Sequence, residues 1–497
     1  MDTNKIRKDW EQGKAVDVGA LLDSIDSLHQ RIAELENSIK KLTKSDRIEE
    51  PFSVAAEEKR QQERKAARKA RNKALKEKLG RKSNDAKLQA AVRTERVFPL
   101  GFSKKECVPS HTRPVWRLEE NKAVIVAYEV WMHKASKTYG KIPGVIGRSG
   151  YGLEFILAVA YQVYSLGLSF DKVALLTRFF QGFKIGKSQI DAMLHQLAKH
   201  LEGEFDNLCS MVANSMILHA DETSWSIHSV WAFITESARV LLHGVHKDAS
   251  TLEAIVNPTL FGGVAISDHA SVYGRFTKMQ KCWAHLLRKS IRICLLAPNE
   301  KRFTTLRDGL LEIYSAAKRL KVDGRYGDDG RLAACYGLQD KLHDLICPEC
   351  QVHRGKSYDG ALEEYRLLIN ELLTLSVDES LLTFVTTSNA KRPNGTDLAA
   401  SGTNNEAERT LRGVARARNT DQASKTPRGA RRRTIVVSTM ESIRCFVKDY
   451  TLGSITDEIL SWQKNGLSCF ERHLQTLKNA MRSKGILNRL YGQPAAC

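Results

Sequence analysis

Four short apolar runs between residues 214 and 275 place the strongest constraint on the fold of this chain. They are rich in Val, Ile and Leu and are separated by polar residues, a pattern typical of strands. The runs are SMILHA (215–220), VWAFIT (230–235), RVLLHGV (239–245) and GGVAIS (262–267). A helical pattern, STLEAIV (250–256), lies between the third run and the fourth. The segment therefore predicts an α/β unit: three strands, a helix and a fourth strand.

Two of these predicted strands end at an aspartate. Asp221 follows the first run and Asp268 follows the fourth. Two-metal phosphoryl transfer needs carboxylates that converge on ions about 4 Å apart, so acids at neighbouring strand ends are candidates. Glu222 adjoins Asp221, but neighbours on a strand point to opposite faces, so only one of the pair serves. A strand-end cap is the alternative role for each aspartate.

A third acid comes from the helical segment TNNEAERTLRGVARAR (403–418), which Asn404 or Asn405 can cap. Glu406 and Glu408 are about 200° apart on a helix, so only one faces a given site. Glu408 shares a face with Arg412, and the segment carries a basic stripe that suits a metal-bound phosphate: Arg409, Arg412 and Arg416. A plain Glu408–Arg412 helix salt bridge is the alternative, and spacing does not decide between them.

The N-terminal residues predict an assembly helix followed by a basic tether. Residues 1–50 carry a heptad seam with Ile at each a position and Leu at each d position, which favours parallel dimers; its members are Leu21, Ile25, Leu28, Ile32, Leu35, Ile39 and Leu42. An amphipathic helix packed on its own domain is the alternative. Residues 51–99 include a tract (59–82) with twelve Lys or Arg against two Glu. Such a tract either contacts DNA phosphates or is a charged linker.

Residues 100–205 are predicted to be a helical DNA-binding region. SFDKVALLTRFF (169–180), a turn containing Gly, and SQIDAMLHQLAKHL (188–201) resemble a helix-turn-helix, with Ser188 as N-cap of the second helix. Lys184 and Lys187 would lie at that helix's N-terminus, where recognition helices meet DNA. Helix-turn-helix geometry also occurs in proteins that do not bind DNA.

The rest of the chain divides around the predicted core. We assign 206–299 to its first part, 300–385 to a helical insertion, 386–450 to its second part with Glu408, and 451–497 to C-terminal helices. Beyond Glu408 the chain stays basic, and the run Arg431–Arg433 either lines a DNA channel or forms a solvated face.

Charge and motifs narrow the function. The net charge of +20 and a pI near 9.5 indicate a polyanionic partner, either nucleic acid or an acidic membrane surface. No signal peptide, membrane span, Gly-rich phosphate loop or G-x-S-x-G elbow is present, and the ten cysteines lack a regular spacing. We therefore expect an intracellular, cytoplasmic protein.

Four sequence blocks resemble, in order, the signatures of the insertion sequence 66 transposase family, over roughly residues 100–480. They are HADETSW (219–225), ISDHASVY (266–273), CWAHLLRK (282–289) and NNEAERTLR (404–412). The resemblance implies an RNase H-like catalytic core and a DDE transposase that cleaves and joins DNA. It identifies Asp221, Asp268 and Glu408, not Glu406, as the catalytic and metal-binding acids.

The same resemblance implies cofactors and partners. Mg²⁺ would be the cofactor, with Mn²⁺ able to substitute. Partners would be double-stranded DNA at transposon ends and target, a second copy of the chain, and accessory transposition proteins. Such a protein would be associated with a bacterial nucleoid.

No zinc is expected, because Cys107, His111 and His133 are too few for the Cys-rich module that relatives carry, and CPEC (347–350) lacks a second pair. For Cys282 and His285 the sequence favours packing over zinc, although His285 or Arg288 could approach a phosphate. A catalytically silent DNA-binding regulator and a scaffold protein built on the heptads stay as alternatives.

Overall fold

The computed structural model describes residues 11–13, 18–45, 59–65, 84–352, 360–419 and 424–492. It divides into two units, Met1–Ser83 and Asn84–Cys497. We describe each unit by itself. Within the described residues, no helix is both long and apolar enough to cross a membrane.

The first unit contains one long helix, α1 (Val18–Ser45), which covers the whole predicted heptad seam. The seam residues whose exposure is known face solvent in the single chain, with Leu28 62% and Leu35 58% exposed. Residues 59–65 of the basic tract are also helical, while 66–82 lie outside the described residues.

The second unit opens with a sheet where the sequence predicted helices. After α2 (Asn84–Gln89), strands β1 (Arg93–Val97), β2 (Cys107–Glu119) and β3 (Lys122–His133) pair in the order β1-β3-β2. The prediction of a helical region from residue 100 is therefore wrong up to His133. The physical reason is a tight hairpin turn, since Glu120 and Asn121 both have positive φ, flanked by residues typical of strands.

Helices follow this sheet as predicted. They are α3 (Leu153–Ala160), continued by a π-helical turn (Tyr161–Ser165), α4 (Phe170–Gln181), α5 (Lys187–Leu201) and α6 (Phe205–Ala213). The expected stripe on α5, which includes Ile190 and Leu197, is buried. The N-cap of α5 is Gly186 and not Ser188, because the helix begins two residues earlier than expected.

The central sheet has five strands in the order β6-β5-β4-β7-β8. The strands are β4 (Ile217–Ser224), β5 (Ser229–Thr235), β6 (Arg239–Val245), β7 (Val264–Ser267) and β8 (Met279–Lys281), with α7 (Ala249–Ile255) between β6 and β7. β4, β5 and β6 are antiparallel neighbours, whereas β7 runs parallel to β4 and to β8. The four predicted strands and the helix between them are confirmed, and β8 was missed because it is only three residues long.

A group of helices with its own apolar core follows β8 and includes the residues of the predicted insertion (300–385). Its helices are α8 (Trp283–Leu296), α9 (Lys301–Val322), α10 (Asp328–Val352), α11 (Ala361–Val377) and α12 (Thr383–Thr386). Buried residues such as Leu310, Ile346 and Leu372 form a cluster separate from the main core.

Hydrogen bonds join the chain at the start of this group of helices to the chain near its end. Trp283 Nε1 donates to Leu381 O (2.7 Å), Gln280 Nε2 donates to the same oxygen (2.9 Å), and Lys281 N donates to Ser380 O (2.8 Å). We call these five residues the clasp. The chain therefore leaves and re-enters the core at one place.

The remaining elements complete the second unit. They are β9 (Ala390–Lys391), β10 (Asp397–Leu398), α13 (Asn405–Asn419), α14 (Pro427–Ile443), α15 (Leu452–Asn465), α16 (Cys469–Thr476) and α17 (Ile486–Tyr491). α14 covers the edge strand β6: hydroxyls of Thr434, Ser438 and Ser442 accept backbone N–H bonds from every second β6 residue. This pairing satisfies an edge that would otherwise be open to another strand. The second unit is thus a mixed α/β structure.

Candidate active site

Asp221 and Asp268 occupy equivalent positions on neighbouring parallel strands. The β4–β7 register pairs Ile217 with Val264 and continues to His219 with Ile266. Two residues further along the chain lie Asp221, still within β4, and Asp268, one residue past the end of β7, so the register aligns the two aspartates. Because paired strands lie about 4.8 Å apart, the two carboxylates are close neighbours.

The face that carries Asp221 is the one covered by α13. Asp221 lies opposite Ala232 of β5, and Ala232 packs with Ala407 and Leu411 of α13. Glu222 lies opposite Trp231, whose ring belongs to the core on the other side of the sheet. The prediction that the adjacent acids point to opposite faces is confirmed.

Asn404 attaches the start of α13 to the strand that carries Asp221. Asn404 is fully buried. Its side-chain Nδ2 donates to Ala220 O (2.7 Å), and its backbone oxygen accepts from Glu408 N (3.1 Å). The sequence suggested only a helix cap. It contained no signal that this side chain bonds to a strand far away in the chain.

Glu408 lies on the side of α13 that faces α8. Its Oε1 accepts from Arg288 of α8 at 2.9 Å, and His285 Nδ1 lies 3.9 Å from the same oxygen. The alternative Glu408–Arg412 salt bridge is not formed among the described residues. Glu406 points elsewhere and pairs with Arg239 (3.1 Å).

The charges of the three acids act on one another. Burial raises the pKa of Asp221 to about 7, and the carboxylates of Asp268, Glu222 and Glu408 add to that rise, while the Glu222 backbone N–H opposes it. Burial and Arg288 lower the pKa of His285, and Glu408 and Asp268 oppose that effect. Asp221, Asp268 and Glu408 therefore form one electrostatic cluster.

Lys281 is a further residue of this region that the sequence analysis missed. Its side chain is nearly buried, and its Nζ donates to the backbone oxygen of Asp268 (3.0 Å). Burial lowers its pKa to about 8. A lysine in a three-residue strand gave no signal that it would hold the chain at Asp268.

The three carboxylates fit a hard divalent cation. Within the described part of the chain, the side chains of Asp221 and Asp268 form no ion pair with a basic residue. Mg²⁺ prefers oxygen ligands and accepts two or three protein carboxylates, because water and phosphate complete its shell. A bound cation would relieve the repulsion that raises the pKa of Asp221.

The predicted DNA contacts lie in different surroundings. Lys184 is exposed, and Lys187 pairs with Asp171 (2.7 Å). Arg412 is exposed on α13, while Arg409 and Arg416 line a groove of about 810 Å³. Arg288 lies at the acid cluster itself.

The run Arg431–Arg433 makes contacts within the protein and does not form a solvated face. Arg431 pairs with Glu202, and Arg432 pairs with Asp191 (2.5 Å). Arg433 is 5% exposed and lies over the rings of Trp225 and Tyr164. The three cations sit on a helix packed into the core, so they bind within the protein.

One family model matches the part of the chain that contains this cluster. The model described as Transposase IS66 family matches residues 148–432, a range that contains Asp221, Asp268 and Glu408. No curated protein gives a significant match. Because the matched residues make up more than half of the chain, this protein belongs to the IS66 family of transposases.

Proposed function

We propose that this transposase cleaves and joins DNA strands at the acid cluster formed by Asp221, Asp268 and Glu408. The observation that carries the proposal is the shared β4–β7 register, which sets two aspartates side by side under the helix that bears Glu408. Membership of a transposase family supports the same activity.

We further propose that the catalytic core is RNase H-like. The support is the order β6-β5-β4-β7-β8, in which three antiparallel strands are followed by a helix and a return to a strand parallel to β4. In this proposal 206–299 and 386–450 form the core, 300–385 the insertion, and 451–497 the C-terminal helices.

In the proposed reaction a hydroxyl oxygen attacks a DNA phosphorus and the bond to the 3′ oxygen breaks. In the later joining step, the freed 3′-hydroxyl loses its proton and attacks a phosphorus of the target DNA. A phosphorus–oxygen bond of the target strand breaks and its oxygen leaves with a proton, so no covalent protein–DNA bond forms. Asp221, Asp268 and Glu408 would hold Mg²⁺ or Mn²⁺. When bound, two such ions supply Lewis acidity and lower the pKa of the attacking hydroxyl.

The residues around the cluster position its members and the DNA. Lys281 holds the chain at Asp268, and Asn404 holds α13 against β4. Arg288 carries an exposed charge beside Glu408 and is able to bind a phosphate oxygen. We propose that Lys184, Lys187, Arg409, Arg412 and Arg416 contribute further phosphate contacts.

The proposal includes a dimer joined through α1. Ile at a and Leu at d favour two parallel strands, and these side chains are exposed in the single chain. Full-length protein should sediment as a dimer at micromolar concentration, and a variant with Leu28 and Leu35 changed to Lys should sediment as a monomer. A monomeric full-length protein would contradict this part of the proposal.

Cleavage of supercoiled DNA carrying candidate element ends tests the activity. With Mg²⁺ the protein should nick or cut this DNA, and Asp221→Asn should abolish cleavage while DNA binding in a gel-shift assay stays unchanged. Glu222→Gln is the matched control and should retain cleavage. Full cleavage by Asp221→Asn would remove the acid cluster from the mechanism, and binding without cleavage by the unaltered protein would favour a silent regulator.

A further inference from the structure

We propose that Cys282, His285 and Glu408 form a second type of metal site, which binds a zinc-class divalent cation. It rests on the proposed function only in that Glu408 belongs to both ligand sets. The sequence favoured packing for Cys282 and His285, which share a helical face just after Asp268.

The geometry supplies that third ligand. One donor atom from each of the three side chains lies within 4.8 Å of the other two. Cys282 is the N-cap of α8, His285 lies in its first turn, and Glu408 lies in the first turn of α13. Zinc bonds of 2.0–2.3 Å require donors roughly 3.3–3.8 Å apart, so the side chains need to close by only about 1 Å.

The imidazole has a nitrogen without a partner. His285 Nδ1 is buried, faces Glu408 at 3.9 Å, and has no hydrogen-bond partner among the described residues. Burying a polar nitrogen without a bond is unfavourable, and a metal ion would satisfy it. The arrangement therefore suits coordination better than packing.

The thiol of Cys282 is buried and lies among backbone donors. Its Sγ accepts from the backbone N–H of Asn404 (3.3 Å), at the N-terminus of the fourteen-residue helix α8. Burial raises the pKa of this thiol, and the backbone donors oppose that rise. A bound cation would favour the thiolate, which is the metal-binding form.

The donor types decide which ion binds. A thiolate, an imidazole and a carboxylate suit Zn²⁺ or Co²⁺, and three protein ligands leave one position open. Mg²⁺ prefers oxygen and would gain little from Cys282 or His285. Glu408 thus has two alternative sets of neighbours: the aspartates for a hard ion, and Cys282 with His285 for a softer one.

Arg288 occupies the place of the cation when no metal is bound. Its guanidinium donates to Glu408 Oε1 (2.9 Å) and approaches His285 Nε2 at 3.4 Å. Coordination through Nδ1 leaves Nε2 protonated, so Arg288 has to move away from the ring. Its side chain is 58% exposed and free to turn into solvent. Metal and guanidinium therefore compete.

Titration of the metal-free, full-length protein with Co²⁺ tests the site without any activity measurement. We expect one equivalent to give a near-ultraviolet thiolate–cobalt band that excess Mg²⁺ leaves in place. Cys282→Ser should remove this band. His285→Gln should weaken the same band. Because the His285 side chain is only half-buried, this variant still tests the site if Cys282→Ser fails to fold. Arg288→Gln should tighten Co²⁺ binding several-fold, and Cys294→Ser, at another buried cysteine of α8, should change nothing.

Two outcomes separate this inference from the proposed function. Mg²⁺-dependent cleavage without a thiolate band, or a band that survives Cys282→Ser, would overturn the cobalt site and leave the proposed activity standing. A band of the expected origin in a protein that never cuts DNA would support the site and contradict the activity.

Discussion

The acids at and beside the candidate active site fall into two groups, which contain sequence neighbours but differ in their surroundings. Asp221 and Glu408, with Asp268, form the acid cluster, whereas Glu222 and Glu406 are paired acids. Glu222 is 1% exposed, accepts from the Tyr273 hydroxyl and pairs with Lys247 at 3.0 Å. Glu406 pairs with Arg239 and Arg409.

The difference shows what separates a structural carboxylate from a candidate metal ligand. The paired acids have basic partners inside the fold, whereas burial, with the neighbouring carboxylates adding to it, raises the pKa of Asp221 to about 7. Arg288, which pairs with Glu408 in the cluster, is an exposed side chain able to leave Glu408. The composition of a short segment does not reveal this distinction, because each group has a member within two residues of the other.

The largest expected effect comes from changing each of the two glutamates of α13, Glu408 and Glu406, to glutamine in separate variants. Glu408→Gln should reduce DNA cleavage by at least on the order of a thousandfold, because a metal ligand supplies several kcal/mol of transition-state stabilisation. Glu406→Gln, on the same helix, should stay within a few-fold of the unaltered protein. Initial rates on supercoiled DNA measure both, and similar rates for the two variants would break the comparison.

The next effect is the change in the free energy of unfolding when Asp221 is replaced in the metal-free protein. Asp221 has a pKa of about 7 in the fold and about 3.9 when unfolded, so its charged form destabilises the folded state. The penalty is absent below about pH 4, grows as pH rises to about 7, and is constant above that. In EDTA at pH 8, Asp221→Asn should therefore raise the free energy of unfolding by about 2 kcal/mol, allowing for solvent screening.

Urea unfolding at pH 5 and pH 8 measures this effect. The gain from Asp221→Asn should be smaller at pH 5. Glu222→Gln should give no gain at either pH, because it removes the ion pair with Lys247. Equal gains at both pH values would mean that the fold does not raise the pKa of Asp221.

The paired acids should respond to loss of their cation. Arg239 is 16% exposed and lies between Glu406 (3.1 Å) and Glu441 (3.6 Å). Arg239→Gln removes the cation that two carboxylates share, although Glu406 keeps Arg409 and Glu441 keeps Arg444, and should lower the free energy of unfolding by about 1–3 kcal/mol. Adding Glu406→Gln should restore part of the loss in urea unfolding, and an unchanged midpoint in the single variant would contradict the pairing.

The smallest expected effect sharpens the comparison along α13. Arg409 shares its charge with Glu406, whereas exposed Arg412 forms no ion pair within the described residues. Arg412→Ala should therefore weaken DNA binding more than Arg409→Ala, by a few-fold, and reduce the salt slope by about one. Gel-shift titrations at several salt concentrations measure both, and the reverse order would show that Glu406 does not neutralise Arg409.

Patterns within short segments of the sequence were enough to predict the strands of the central sheet. Runs of Val, Ile and Leu located β4 to β7, and two-residue periodicity placed Asp221 and Glu222 on opposite faces. The hairpin of β2 and β3 was missed, because its turn uses Glu120 and Asn121 instead of the Gly that usually marks such turns.

Contacts between distant segments were beyond these patterns. The bonds of Asn404 to Ala220, of Lys281 to Asp268 and of Arg288 to Glu408 join residues whose separation leaves no periodic signal. The burial of Arg433 has the same cause, since only the packing of α14 brings it under Trp225. The resemblance to known transposases selected Glu408 over Glu406, and spacing alone did not.

The clasp has a consequence for how this protein can diversify. Gln280 and Trp283 both donate to the backbone oxygen of Leu381. The polypeptide between Trp283 and Leu381 therefore begins and ends at the same place, whatever its length or shape. The helices beyond α8 can therefore differ in length or shape while the clasp keeps the two chain segments together. Exchanging those helices between relatives, with α8 retained, should leave the contact between Arg288 and Glu408 in place.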